Sequence, residues 1–150
     1  MADVRGCHFP DDLYYDVANL IWYAALGESD VRVGFTPPAL VLSGTLLGFV
    51  PKRPGREFEK ARSFATIESG KWVGPARAAF DGVVVAFNEP MMDRPNLANR
   101  DPYGSGWMLV VRPASPDWRN GLVTGEGIAP AFEAWMEAEK FSGCGVGNGV

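Results

Sequence analysis

Lys71 stands in a short segment whose residue types are typical of a tight turn between two strands. The segment reads Glu68-Ser69-Gly70-Lys71-Trp72, and residues 64–68 approach it with strand composition. Ser69 and Gly70 supply turn chemistry, and Gly74-Pro75 is expected to end the strand that leaves the turn. One exposed lysine is most often a solvated charge, but this flanking pattern predicts a lysine placed for covalent modification.

Conventional catalytic groups are scarce in this chain. A catalytic triad or a multi-histidine metal site would have to be built around the single histidine, His8, in the N-terminal segment, and we assign His8 a structural or surface role. Cys7 and Cys144 are too few for a zinc cluster and lie at opposite ends of the sequence. We therefore predict no catalytic residue and no metal site, and we expect two free thiols in a reducing cytoplasm.

Length and charge limit the classes of protein further. A chain of 150 residues with 47% hydrophobic content supports one domain with a modest core. A net charge of −4 without a clustered basic face gives no support for a nucleic-acid partner. No apolar run approaches the ~20 residues of a membrane span, and the start lacks the layout of a secretory signal. We expect a cytoplasmic protein with no membrane partner.

The one basic run, residues 52–56, is interpreted as a solvated loop, with docking of an acidic partner as the alternative.

Two stretches on either side of the turn share one strand pattern. Each consists of a glycine, three strand formers, a small residue and a phenylalanine, at residues 44–49 and 82–87, an offset of 38 (82 minus 44). Two similar β-units related by a quasi-twofold axis can each cover the other's apolar face. The repeat predicts a mainly β fold, a flattened barrel of two quasi-symmetric sheets with Lys71 on the hairpin between the repeats.

The flanking residues predict the remaining elements. Residues 88–103 contain three prolines and are interpreted as a loop with one helical turn. We expect one domain over residues 1–141, with its core at about 43–113, and a mobile glycine-rich tail over 142–150. The other expected elements are a β-hairpin over 20–35, a short helix opened by Thr36 and Pro37 and closed by Ser43-Gly44, a strand over 106–111 that helps to close the barrel, and an amphipathic helix from Gly127 to near Lys140.

The stretch from Ser43 to Pro113 resembles the lipoyl domains, and among them the H-protein of the glycine cleavage system. H-proteins carry a similar series of motifs in the same order. In this chain the series is Glu68-Ser69-Gly70-Lys71, then Gly82-Val83-Val84-Val85, then Asn88-Glu89, then Asn99-Arg100-Asp101-Pro102-Tyr103-Gly104-Ser105-Gly106-Trp107. The resemblance implies the lipoyl/biotinyl-type barrel-sandwich hybrid fold, and it covers about half of the chain closely.

Two departures from the H-protein pattern indicate a subfamily. The chain begins with Arg5-Gly6-Cys7-His8-Phe9-Pro10 where H-proteins carry a His-Glu-Trp motif. It follows Lys71 with Trp72-Val73-Gly74-Pro75 where H-proteins carry small residues. This pattern is similar to the lipoate-binding proteins of the heterodisulfide-reductase-like pathway of bacterial sulfur oxidation.

The resemblance implies a carrier protein rather than an enzyme. A lipoate-protein ligase or lipoyltransferase would join lipoate to Lys71 as an amide, and the arm would carry sulfur intermediates to a heterodisulfide-reductase-like complex by thiol–disulfide chemistry. The alternative is the glycine-cleavage H-protein, which shuttles an aminomethyl group among a decarboxylase, an aminomethyltransferase and dihydrolipoamide dehydrogenase. A third reading is an unmodified binding module. Exchange between a bound dithiolane and Cys7 or Cys144 remains a further, disfavoured alternative.

Four neighbours of Lys71 are expected to support this role. Gly70 would let the backbone bend sharply next to Ser69, and Glu68 would offer the modifying enzyme an anionic landmark. The Trp72 ring either packs across the hairpin, which we favour, or shelters the dithiolane and anchors a partner.

Overall fold

The structure is a computed structural model, and it describes residues 1–145. Short extended segments dominate this part of the chain, as the mainly β prediction requires. The strands are β1 Ala2–Val4, β2 Cys7–Phe9, β3 Tyr14–Asp16, β4 Ile21–Leu26, β5 Asp30–Phe35, β6 Leu46–Pro51, β7 Glu57–Phe58, β8 Ser63–Ser69, β9 Val73–Arg77, β10 Gly82–Phe87 and β11 Leu109–Pro113. The helices are α1 Pro37–Ser43, α2 Pro90–Asp93, α3 Leu97–Arg100 and α4 Ile128–Glu139, with a 3-10 turn at Gly125–Gly127.

The described strands form three antiparallel sheets. The largest has the order β3-β4-β5-β11-β10-β7, the second has the order β6-β8-β9, and β1 and β2 form a separate ribbon. Apolar side chains from the two larger sheets, among them Tyr23, Ile67 and Val111, meet in one buried cluster. The predicted fold class is confirmed. The two main sheets nevertheless differ in their number of strands, because the hairpin β4–β5 joins the larger sheet by the pairing of β5 with β11.

The two sequence repeats occupy corresponding positions in different sheets. The first supplies β6 in the three-stranded sheet and the second supplies β10 in the six-stranded sheet. Each strand contains a register shift, between Leu46 and Gly48 in β6 and between Val84 and Ala86 in β10. These irregularities are 38 residues apart (84 minus 46), as the sequence repeats are. Phe49 is buried, and Phe87 is half-buried against the same core.

The hairpin and the short helix that follow the N-terminal segment form as predicted. Strands β4 and β5 pair along their whole length, and Thr36 lies at the N-cap of α1 with Pro37 in its first turn. The Thr36 hydroxyl does not cap the helix, because it donates instead to the carbonyl of Leu20 at 2.9 Å. Gly44 ends α1 with a φ of 78°, a conformation that favours glycine.

The segment between β10 and β11 is more regular than the sequence predicts. It contains the two short helices α2 and α3 in place of one helical turn, and β11 begins at Leu109 rather than at Gly106. The Asn88 side-chain amide donates to the carbonyls of Ser105 and Trp107, each at 2.7 Å. These bonds hold the Gly-rich end of the segment against the sheet.

Helix α4 covers the outer face of the six-stranded sheet. Its buried residues Ile128, Phe132 and Met136 pack in a second apolar cluster with Tyr15 and Trp22. The Phe132 ring also stacks on Phe9 of β2, with centroids 4.0 Å apart. The burial of Ile128, Phe132 and Met136, which are spaced four residues apart along α4, confirms the predicted amphipathic helix. Within residues 1–145, no helix is both long and apolar enough to cross a membrane.

The expectation of two free thiols is wrong, because Cys7 and Cys144 form a disulfide. Packing of the N-terminal ribbon beside α4 brings Cys7 close to Cys144. The Cys144 amide donates a hydrogen bond of 2.9 Å to the Arg5 carbonyl. The Arg5 guanidinium forms ion pairs with Glu133 and Glu137. The sequence separation of 137 residues concealed this proximity.

The predicted mobile tail does not begin at Ser142. The disulfide and the bond between the Cys144 amide and the Arg5 carbonyl hold the segment that follows α4 against the N-terminal ribbon. Gly143 is buried there, and a Cβ on it would lie 2.2 Å from the Arg5 carbonyl oxygen. The rest of the predicted tail, residues 146–150, lies outside the described residues.

Candidate functional site

Lys71 lies at the tip of the hairpin formed by β8 and β9. Glu68 and Val73 form the last cross-strand pair, and residues 70–72 connect the strands. The Ser69 amide donates to the Trp72 carbonyl at 2.8 Å, and the Lys71 amide donates to the Ser69 hydroxyl at 3.2 Å. Ser69 is itself buried, so its side chain fixes the turn from within.

The side chain of Lys71 projects from this turn without a polar partner. Within residues 1–145 its amine makes no ion pair and no hydrogen bond, and the residue is exposed. Its stem passes the backbone of Gly44, where an added Cβ would lie 3.4 Å from Cε and 3.8 Å from Nζ of the lysine. The arrangement leaves the amine accessible from outside the protein.

The backbone bends at Gly70, as expected, but this bend does not require a glycine. Gly70 does not adopt a positive φ, and no heavy atom lies within 4 Å of the position that its Cβ would take. Any small residue would fit this backbone. The positive φ at the site belongs to Gly44, and the hydrogen bonds of Ser69 rather than a glycine conformation hold the turn.

Trp72 packs its ring across the strand that leaves the turn. A Cβ on Gly74 would lie 2.3 Å from Cζ2 of the ring, so the glycine provides the space that the ring fills. Trp72 nevertheless remains 45% exposed. Gly74 and Pro75 lie inside β9 and do not end it, because β9 is an edge strand and an edge tolerates a residue without an N–H.

A cleft of about 670 Å³ opens beside Lys71. Its lining includes Lys71 and Trp72 together with residues of α1 and the end of β5. Most of the lining is apolar, including Leu20, Phe35, Leu40, Leu42, Ile67 and Ala76. The cleft can therefore receive an uncharged chain that extends from the lysine.

Asn99 holds the strand beside the hairpin, a role that the sequence argument did not assign. Its side-chain amide donates to the Gly44 carbonyl and accepts from the Leu46 amide, both at 2.9 Å. Leu46 in turn pairs with Ser69 across β6 and β8. Asn99 belongs to a motif shared with H-proteins, and this motif was the sequence signal from which its role beside the hairpin could have been identified.

The remaining polar candidates lie elsewhere. His8 is exposed on β2, where its ring pairs with Asp3. Within residues 1–145, no group of three or more histidine, cysteine, aspartate or glutamate side chains is arranged to hold a metal ion. The basic run at residues 52–56 is largely exposed, with the Arg53 guanidinium 6.0 Å from the centroid of the Phe87 ring.

A flattened β domain that displays an unpaired lysine at a hairpin tip has the arrangement of a lipoyl-type carrier. The family model described as "Glycine cleavage H-protein" matches residues 13–134. The chain belongs to this family, whose members are lipoyl carrier proteins and not enzymes.

Individual relatives extend the match to nearly the whole chain. Glycine cleavage system H protein 5 of Aquifex aeolicus is 40% identical over 149 residues, which cover 97% of this chain and 100% of that protein. Probable glycine cleavage system H protein 2 of Sulfolobus acidocaldarius is 33% identical over 144 residues, with coverages of 95% and 97%. The crystal structure of the H protein from Mycobacterium marinum superposes with a TM-score of 0.70 at 27% identity, and it covers 89% of this chain and 100% of that one.

Proposed function

We propose that Lys71 carries a lipoyl group in amide linkage and that the resulting arm serves bacterial sulfur oxidation. The observation that carries the first part is the exposed, unpaired amine of Lys71 at a hairpin tip beside an apolar cleft. A lipoate-protein ligase or lipoyltransferase would make the linkage. Dihydrolipoamide dehydrogenase would act on the arm as a second enzyme.

The residues around Lys71 fit a lipoyl group. Amide formation at Nζ removes the charge of the lysine, and a neutral stem suits the apolar walls formed by Leu42, Ile67 and their neighbours. When bound, the lipoyl group supplies a dithiolane that exchanges with thiolates as a two-electron couple. The protein's own residues position the attachment point: Ser69 closes the turn, and Asn99 holds β6 against it.

The departures beside Lys71 favour sulfur oxidation over glycine cleavage. A bulky, half-exposed Trp72 follows the lysine where H-proteins of glycine cleavage carry small residues. Enzymes shaped for a small residue would meet this ring as a clash. Aquifex aeolicus has relatives of this chain numbered 2, 3 and 5, and several H-proteins in one organism suggest more than one set of partner enzymes. We infer that the partner of this chain is a heterodisulfide-reductase-like complex.

Two other functions stay open as alternatives. The runner-up is the glycine-cleavage H-protein, which the family name and the relatives' names favour. An unmodified binding module is the alternative from another class, and the intact turn around Lys71 argues against it.

Glycine-dependent loading distinguishes the two carrier functions. Lipoylated protein, incubated with glycine and a glycine decarboxylase, is expected to gain the aminomethyl group at least about tenfold more slowly than a glycine-cleavage H-protein, because the Trp72 ring obstructs docking. Mass spectrometry of the intact protein measures the loading, and unlipoylated Lys71→Arg protein is the blank.

The Trp72→Ala variant is the matched comparison in this assay. Faster loading of this variant than of the wild type supports exclusion by the ring. Wild-type loading at the rate of a glycine-cleavage H-protein would overturn the assignment to sulfur oxidation and establish the runner-up.

A further inference from the structure

We propose that the cleft beside Lys71 selects for an anionic group at the end of the lipoyl arm, and that Arg77 is the residue that binds this group. The inference rests on the proposed function. It names the class of group that the arm carries there, a sulfur oxyanion bonded to one of the two sulfur atoms of the arm.

The charged residues that line the cleft are cations. Lys71 and Arg77 are the charged residues in the lining, and no aspartate or glutamate of residues 1–145 belongs to it. Asn19 and Ser43 add uncharged polar side chains. Amide formation at Nζ removes the charge of Lys71, so the charge that remains is that of Arg77. A cleft with this lining attracts an anion and offers no carboxylate to a protonated amine.

Two carboxylates that are close to the lining in sequence lie outside the cleft. Asp16 accepts hydrogen bonds from the backbone amide of Asn19 at 3.3 Å and from its side-chain amide at 2.8 Å. Glu68 lies over Gly48, where an added Cβ would be 3.0 Å from Oε1. Because neither residue lines the cleft, neither supplies a counter-ion for a cationic group on the arm.

The Arg77 guanidinium keeps N–H donors that an anion can use. One N–H group donates to the carbonyl of Ala61 at 3.1 Å, and both residues are exposed. Within residues 1–145 no carboxylate pairs with Arg77. A guanidinium has five donors in a planar fork that suits the oxygens of an oxyanion. A charge-assisted pair is stronger than one hydrogen bond at the surface, so the guanidinium can turn from Ala61 to the arm.

The arm is long enough to bring its end to Arg77. The six residues from Lys71 to Arg77 span about 20 Å at strand spacing. About eleven bonds join the Cα of Lys71 to the dithiolane, which gives an extended reach of about 14 Å. The Arg77 side chain adds about six bonds and about 7 Å from the opposite direction. An arm that lies along β9 can therefore place the carried group against the guanidinium.

Sulfite is the probe that tests the proposal. The sulfur of sulfite attacks one sulfur of the dithiolane, the S–S bond of the ring breaks, a new S–S bond joins the arm to sulfite, and the other arm sulfur becomes a thiolate. Sulfite is oxidised and the ring disulfide is reduced, so no further reactant is needed. We expect the equilibrium constant for this adduct to be about threefold higher in lipoylated wild-type protein than in lipoylated Arg77→Gln protein. Mass spectrometry of the intact protein measures the fraction of adduct at each sulfite concentration.

Matched variants separate the charge of Arg77 from other effects. Arg56→Gln removes another exposed cation, one that does not line the cleft, and should leave the constant unchanged. Arg77→Lys keeps the charge and should retain most of the wild-type constant, whereas Arg77→Glu should lower it about tenfold. Added salt should reduce the difference between wild type and Arg77→Gln. Lys71→Arg protein has no arm and corrects for sulfite that attacks the disulfide between Cys7 and Cys144.

The reduced arm, without a carried group, provides a second measurement. The rate of its alkylation as a function of pH gives the pKa of the arm thiol, which should be the same in wild type and Arg77→Gln because Arg77 binds the oxyanion. A thiol pKa that is lower in the wild type by enough to explain the whole threefold difference would show that Arg77 acts on the thiolate, and would overturn the proposal.

The contradicting results are distinct from a failure of the proposed function. Equal constants for sulfite in lipoylated wild type and Arg77→Gln overturn the selection by charge and leave the carrier function standing. An equal loss in Arg77→Lys and Arg77→Gln would assign the effect to the hydrogen bond with Ala61, which also overturns the proposal. Wild-type protein that accepts no lipoate would overturn the carrier function itself.

Discussion

Reduction of the disulfide between Cys7 and Cys144 is expected to lower the free energy of unfolding by about 3 to 5 kcal/mol. The bond joins residues 137 positions apart, and a cross-link that closes so long a loop removes much of the entropy of the unfolded chain. The ion pairs of Arg5 with Glu133 and Glu137 are partly exposed at the same junction and cannot replace it. Denaturant unfolding with and without a thiol reductant measures the difference.

Cys144→Ser is the control for this experiment. Cys144 is half-buried whereas Cys7 is fully buried, so a serine is better tolerated at position 144. The variant should match the reduced wild type in stability and should not respond to reductant. The assigned bond would be contradicted if reductant shifted the denaturant midpoint of the wild type no more than it shifts the midpoint of the variant.

Gly106→Ala is expected to destabilise the protein by about 3 kcal/mol. An added Cβ would lie 2.5 Å from the Leu97 carbonyl oxygen, 2.6 Å from Cα of Ala98 and 2.7 Å from the Asp101 carbonyl oxygen. All three are backbone atoms in or beside α3, which cannot move away as a flexible side chain would. Displacement of α3 would also pull Asn99 from β6. Thermal or denaturant unfolding of the purified variant gives the loss.

Gly70→Ala is the matched substitution. The Cβ would meet no atom within 4 Å and the φ is not positive, so the free energy of unfolding should change by less than about 0.5 kcal/mol. Equal losses for the two variants would show that close approach of the backbone is not what requires Gly106.

The elements that could be predicted from the sequence are those with strong local signals. Strands β4 and β5 are rich in strand formers and flank a polar turn, and α4 repeats its apolar residues with helical spacing. The repeat of 44–49 in 82–87 predicted two related sheets. The paired register shifts at Leu46 and Val84 give this repeat a physical basis that composition alone could not supply.

The elements that could not be predicted have weak local signals and depend on distant contacts. Strands β1 and β2 are only three residues each, and the packing of Phe9 on Phe132 of α4 stabilises their ribbon. That packing also brings the two cysteines together. Pro75 was interpreted as the end of a strand because a proline breaks central strands, and its place on a sheet edge becomes visible only in the fold.

The candidate site also contains one part that the sequence predicted and another part that depends on distant contacts. Turn chemistry around Lys71 predicted the hairpin, because Ser69 acts on residues within three positions of itself. Part of the cleft lining comes from α1 and the end of β5, which precede Lys71 by about thirty residues, and no local pattern connects these elements to the lysine. Asn99 acts from the other side, through two hydrogen bonds to β6.

A tryptic peptide map tests the central claim, lipoylation of Lys71, most directly. Trypsin cleaves after lysine and arginine, and an amide on Nζ of Lys71 blocks cleavage there. Protein co-expressed with a lipoate-protein ligase should yield an uncut peptide of residues 63–77 that bears one lipoyl group, and Lys71→Arg protein should yield no lipoylated peptide. A lipoyl group on Lys52, Lys60 or Lys140, or cleavage after an unmodified Lys71 despite an active ligase, would contradict the account.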